Sequence, residues 1–228
     1  GLFKANRSGA DDIIGETQEG EEFIFRTLRQ QGKKAQGAAN MALADFVAPQ
    51  ESGVQDYVGC FAVTAGLGLE KITQTYEAAL DDYSSILAKA LADRLAEACA
   101  EWLHEQVRKK HWGYQQEEDL SNQDLITEKY QGIRPAPGYP ACPDHQEKTT
   151  IFKILDAERI GLQLTESLAM YPAAAVSGYY FAHPESKYFG LGKIAKDQVE
   201  DYAQRKGQDL AVAEKWLNPN LNYELWKW

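Results

Sequence analysis

Tyr57-Val-Gly-Cys-Phe-Ala-Val-Thr-Ala-Gly-Leu-Gly68 runs from β-branched and aromatic residues into a glycine-containing turn. Residues 57–64 predict a strand, because such side chains fit a pleated, half-buried surface. The residues after the turn separate two fold classes. Ala65-Gly66-Leu67-Gly68 sits between a strand and a helix, as a dinucleotide fingerprint would, but the third glycine is missing. No second strand follows within the length of a βαβ unit, which argues against a Rossmann-type methyltransferase.

Beyond the turn, Tyr76, Leu80, Tyr83, Leu87, Leu91, Leu95, Cys99, Trp102 and Leu103 recur at three- and four-residue steps. This periodicity predicts one long or two consecutive amphipathic helices to about residue 110. Glu97, Glu101, Glu105 and Arg108 fall on the polar flanks. His104 and His111, near the helix end, are expected at the surface.

Upstream, residues 1–64 read as mostly extended, with a strand at Phe23-Ile-Phe25 and a break at Gln31–Gly37. Downstream, Ser121 can cap a second helix that runs to about Tyr130 and stops before Gly132. A further helix is expected at Thr149–Asp156. Leu162–Ala169, Ala173–Ala182 and Lys187–Ile194 read as three successive strands, with a turn at Pro184-Glu-Ser. The tail is helical: Asp197 and Glu200 have capping-box spacing, Gly207 suits a left-handed helix end, and Leu210–Leu217 forms a last helix. Strands, then helices, then a meander predict an α+β fold.

Hydrophobic residues make up 44% of the 228 and charged residues 25%, enough to bury a sizeable core. The net charge of −10 argues against binding to nucleic acid, which needs clustered Lys and Arg. Lys33-Lys34 and Arg108-Lys109-Lys110 are short and read as solvated faces. No apolar run approaches the roughly 18 residues of a membrane span. Three widely spaced cysteines (Cys60, Cys99, Cys142) form no disulfide framework, so a cytoplasmic setting is expected. The chain starts Gly1-Leu2-Phe3, without Met, and reads as a piece of something longer.

Arg134-Pro-Ala-Pro-Gly-Tyr-Pro-Ala-Cys-Pro-Asp-His145 is the most informative segment for function. Its four prolines fix φ and remove backbone donors, so the segment can join neither a helix nor a central strand. Much of its ordering entropy is therefore already spent, which suits a ligand site. Gly138 permits positive φ or close approach of a ligand. Arg134 can hold a carboxylate through two parallel hydrogen bonds, and Tyr139 offers a flat ring with a polar tip. By composition alone the segment serves equally well as a rigid connector. Cys142 and His145 offer two metal ligands where a structural zinc needs four, so packing and hydrogen bonding explain them better and no metal site is expected. Nothing forms a catalytic acid–base constellation. Asp93, Arg94, Glu97, Glu101 and Glu128 lie on predicted helices, where a solvated face is the ordinary reading. The functional one is that a carboxylate such as Glu128, six residues before Arg134, lies near a ligand cation.

Five strings then resemble a known family: Leu43-Ala-Asp-Phe-Val-Ala-Pro49, Lys89-Ala-Leu-Ala-Asp-Arg-Leu-Ala-Glu97, Tyr130–His145, Leu164-Thr-Glu-Ser167 and Val199-Glu-Asp-Tyr-Ala203. Order and content are similar to the C-terminal activation domain of vitamin B12-dependent methionine synthase. The resemblance implies a single C-shaped α+β domain, residues 1–228, with a bent antiparallel sheet flanked by helices and without the family's N-terminal part. An acidic residue of that part helps bind the donor's amino group. The family transfers a methyl group from methyltetrahydrofolate to homocysteine through cobalamin. Its activation domain binds S-adenosylmethionine and docks on the cobalamin module, so that cob(II)alamin is reductively methylated with an electron from a flavodoxin-type reductase.

By resemblance, Arg134 holds the methionine carboxylate, backbone groups of Ala136 and Gly138 receive the adenosine, and Tyr139 lies beside the ligand. Tyr188 and Phe189 stand where the family often has two tyrosines. Glu97 and Glu128 supply negative potential near the sulfonium, while Asp93, Arg94 and His145 face the cobalamin module. The alternative is a module that only caps a cobalamin domain and recruits the reductase, with no nucleoside ligand.

Overall fold

The protein is described by a computed structural model covering residues 1–225. Among the described residues, seven strands and six α-helices alternate irregularly, which is the expected α+β class. β1 (Leu2–Ser8), β2 (Asp12–Glu16), β3 (Glu22–Arg26), β4 (Asp56–Thr64) and β7 (Ala175–Tyr180) form one sheet in the order β3-β2-β1-β4-β7. β1 pairs antiparallel with both β2 and β4, and β2 antiparallel with β3. Alternation drives this arrangement: Phe3, Ala5, Ile13, Phe23 and Phe25 point into the core, while Lys4, Asn6 and Glu22 do not. Chain contacts divide the molecule into two compact units. The first comprises Gly1, Cys60–Tyr130 and Ile151–Gly178; the second comprises Leu2–Gly59, Gln131–Thr150 and residues from Tyr179 onward.

In the first unit, α1 (Leu69–Ala78) and α2 (Asp82–Gln106) are two consecutive helices, one of the two expected arrangements. Asp81 caps α2 by accepting a hydrogen bond from Ser84 N at 3.0 Å. The α2 side chains that are buried are Ser85, Ala92, Ala96, Ala100 and His104. The large apolar row is the exposed one: Tyr83, Leu87, Leu91, Leu95 and Trp102 keep 44–76% of their surface. A π-helical turn, Val107–His111, ends the helix and turns Arg108 inward.

Arg108 was expected on a polar flank, yet its side chain is fully buried and paired with Glu118 through two hydrogen bonds of 2.7 Å. Its guanidinium lies 4.4 Å from the centre of the Tyr130 ring. His104, expected at the surface, is also fully buried and meets Tyr130 edge-on at 5.0 Å. The polar pattern hid both because aromatic packing against Tyr130 accommodates the His104 ring and the Arg108 guanidinium, and a bidentate carboxylate compensates burial of the Arg108 charge. Gly66 has a local structural role, because a Cβ there would sit 2.6 Å from Pro172. Ser121 caps α3 (Asn122–Ile126) in a capping box with Asp124, but α3 stops at Ile126, short of Tyr130. The strand expected at 162–169 shrinks to β5 (Gln163–Leu164), paired with β6 (Met170–Tyr171).

In the second unit, α5 (Lys196–Lys206) and α6 (Leu210–Leu217) pack Val199, Tyr202, Ala203, Ala213 and Leu217 into a core with Leu28, Leu191 and Ile194. Gly207 ends α5 in the left-handed region at φ 64°, as expected. The N-cap of α5 is Ala195, so Asp197 lies in the first turn and not in a capping box. The strand expected at 187–194 does not form. Its backbone bonds elsewhere, with Leu191 N donating to Pro140 O and Ile194 N to Asn220 O, both at 2.8 Å. α4 (Glu147–Leu155) follows the proline loop.

Candidate functional site

The proline loop is held by its backbone. At its entry Ile133 bridges to Phe181, and Tyr179 N donates to Pro135 O at 2.9 Å. Arg134 N donates to the Tyr188 hydroxyl at 3.0 Å, so that hydroxyl fixes the start of the loop. At the tip, Tyr139 N donates to Ala136 O (3.1 Å), Cys142 N to Tyr139 O (2.9 Å) and Gly138 N to Cys142 O (2.7 Å). These bonds close two tight turns that the prolines pre-bend.

Gly138 has φ 94°, and a Cβ there would lie 2.3 Å from His145 Cε1. The glycine therefore lets the imidazole lie against the backbone of the loop tip. His145 Nδ1 is 2.9 Å from Lys148 Nζ. An ammonium at that distance makes Nδ1 the acceptor and leaves the ring proton on Nε2. Burial first, and the Lys148 charge second, hold the His145 pKa below its usual value, so the ring is neutral at pH 7. Cys142 is buried with its Sγ 3.9 Å from the Tyr179 hydroxyl, and burial pushes its thiol pKa up, which leaves it a packing residue.

Of the residues expected to bind a ligand, one compact unit gathers Arg134, Ala136, Gly138, Tyr139, Tyr188 and Phe189, together with His145. Tyr139 is 61% exposed, so its ring face is open to a ligand. Arg134 and Ala136 are half-buried. Phe189 is half-buried and meets Phe46 edge-on at 6.4 Å, which fixes its ring without a hydroxyl. Glu97, Asp93 and Arg94 are exposed on α2, in the other unit, as is Glu128 after α3. Glu128 has φ 54°, in the left-handed region that a non-glycine residue seldom takes.

Sequence reasoning missed what secures the exit of the loop. Asp144 and Glu147 are buried, at 1% and 2% exposure, and both meet Lys206 Nζ, at 2.6 and 2.9 Å. Tyr202 donates to Asp144 at 2.7 Å. Spacing offered only one signal: Tyr202 and Lys206 lie one turn apart on a predicted helix, while Asp144 and Glu147 fall between the loop and the helix expected at 149–156.

No group of three or more His, Cys, Asp and Glu side chains suited to a metal occurs among the described residues. None of the described helices is long and apolar enough to cross a membrane.

Residues 1–207 match the family model described as vitamin B12 dependent methionine synthase, activation domain. A solved structure, the MetH reactivation domain bound to AdoHcy, is 56% identical and superimposes with a TM-score of 0.94. The alignment covers 98% of this chain and 70% of that one. With the family model spanning most of its length, the chain belongs to the activation domains of vitamin B12-dependent methionine synthase.

Proposed function

We propose that the Arg134–His145 loop binds S-adenosylmethionine, the methyl donor for reductive reactivation of methionine synthase. The observation that carries this reading is the loop itself: a proline-braced turn whose arginine, bare glycine and exposed tyrosine ring fall in one unit. The similar reactivation domain bound to AdoHcy, the donor without its methyl group, supports it.

Arg134 takes the carboxylate of the methionine moiety through its guanidinium fork. Ala136 and Gly138 present backbone groups to the adenosine, with Tyr139, Tyr188 and Phe189 giving ring surface beside it. The sulfonium's charge is fixed and cannot be lost by deprotonation, so negative potential beside it stabilises the bound donor. The sulfonium makes the methyl group an activated electrophile, so the protein's task is to orient it and exclude water, and no general acid or base is needed.

The second half of the reading is docking on the cobalamin module of the enzyme, with an electron from a flavodoxin-type reductase. Asp93, Arg94 and His145 face that module. The exposed row Leu87, Leu91 and Leu95 beside Asp93 and Arg94 supports this assignment, since a continuous apolar strip on a charged helix calls for a partner. The isolated chain is thus one domain of a methyltransferase whose active site needs the module.

Thermal unfolding with and without S-adenosylmethionine tests donor binding. Ligand at 100 times its Kd adds about 2.7 kcal/mol of stability. Adenosine alone, lacking the carboxylate, is expected to give a much smaller shift. An unchanged melting curve at millimolar S-adenosylmethionine contradicts the reading.

A further inference from the structure

The exit of the loop is tied to a helix about sixty residues away by a buried cluster of charge. Lys206, on the last turn of α5, places its ammonium between the Asp144 and Glu147 carboxylates and 3.2 Å from the Tyr202 hydroxyl. Asp144 also accepts a hydrogen bond from Gln146 N at 2.8 Å, and Glu147 accepts one from Arg26 N at 3.2 Å. The two carboxylates flank His145, whose ring lies against Gly138 at the loop tip.

A buried ion cluster is a poor device for stability, because desolvation offsets most of its attraction and apolar residues of equal volume do as well. It is a good device for geometry, because each carboxylate accepts only where its donors point. This cluster is also unbalanced: two carboxylates share one ammonium. Its position at the loop exit, opposite the Tyr179–Pro135 bond at the entry, gives that geometry one evident use.

We propose that Lys206 is a positioning residue for the donor site: by pinning Asp144 and Glu147 on either side of His145, it presses that ring against Gly138 and sets the binding form of the loop. For its functional consequence the proposal rests on the reading that the loop binds S-adenosylmethionine. Its structural half stands apart from that reading.

The test compares Lys206→Met, Lys206→Arg and Tyr202→Phe with the parent chain by amide hydrogen exchange and by calorimetric titration with S-adenosylmethionine. In Lys206→Met and Tyr202→Phe, exchange at the Gly138 and Cys142 amides is expected to quicken by about tenfold or more, with α6 amides unchanged. Donor affinity is expected to fall by about tenfold, as when a supporting group around a site is lost. Lys206→Arg, which keeps the charge and can reach both carboxylates, restores most of both. Parental exchange at the loop amides overturns the proposal, as does equal acceleration in the loop and α6, which marks general destabilisation. A loosened loop with unchanged affinity overturns its functional half. If Lys206→Met fails to fold, Tyr202→Phe, which keeps the ring and loses one hydrogen bond, decides. If the parent does not bind S-adenosylmethionine, the donor-binding reading fails while the exchange rates still decide the clamp.

Discussion

Gly138 shows how much a single residue can hold in place. Its positive φ and the His145 ring at its missing Cβ are two separate demands for glycine. Gly138→Ala meets both, a strained backbone of about 1 kcal/mol and a ring that must move. The variant is expected to remain folded, to melt a few degrees lower and to bind S-adenosylmethionine about tenfold more weakly. Titration calorimetry beside a melting curve checks it, and parental affinity would show that the tip tolerates rearrangement. The sequence could offer only that Gly138 either turns the chain or admits a ligand. The structure assigns the turn and gives the space behind it to His145, a partner seven residues on that no local pattern announces. Arg108 and His104 were misplaced for a related reason. Helical periodicity sees residue type and phase, while a π-helical turn carries Arg108 to Glu118 and the Tyr130 ring, and His104 packs edge-on against that same ring.

Among the elements, those defined by local chemistry were legible. β3, β4, α6, the cap at Ser121 and the left-handed end at Gly207 lie where residue chemistry placed them. Elements defined by distant partners were not. Residues 187–194 have strand-forming aromatics, but Leu191 and Ile194 donate to Pro140 and Asn220, and no ladder forms. α2 is the instructive intermediate. Its period was legible but not its buried face, since the buried side takes small residues and the large apolar side chains lie outward. If that row serves docking, Leu91→Glu should leave the unfolding free energy in urea within about 0.5 kcal/mol of the parent, as for an exposed position. The same change should lower association with a cobalamin-binding module by about tenfold or more, since a charge at the centre of an apolar contact is left unpaired. Sedimentation of the mixed domains measures it. A variant that associates normally would move the interface elsewhere, and one that unfolds would make the row part of the core.

At the scale of the whole molecule, charge links stability to pH. In the second unit Arg29 bridges Asp11 and Asp45 at 2.8 and 2.6 Å, and Arg7 joins Asp45 at 3.1 Å. Burial works against ionisation of Asp45. The Arg29 hydrogen bond, the Ala42 amide and the two arginine charges outweigh it and hold the carboxyl below its usual 3.8. A depressed folded pKa gives stability that is present above the unfolded value and lost as pH falls through the folded one. The urea midpoint is therefore expected to drop as pH is taken from 5 down through and below 3.8, and Asp45→Asn should flatten that limb. An unchanged acid limb in Asp45→Asn would mean that other carboxylates govern it.

In the proposed reading the proline-braced loop is a donor site and Arg134 is its anion clamp. Calorimetric titration of S-adenosylmethionine into the parent chain and into Arg134→Ala tests that claim most directly. Saturable binding by the parent is predicted, with a loss of about 100-fold or more in the variant, the cost of removing a charge-assisted, two-pronged hydrogen bond worth about 3 kcal/mol. Equal affinity of the two proteins, with the parent clearly binding, would contradict it.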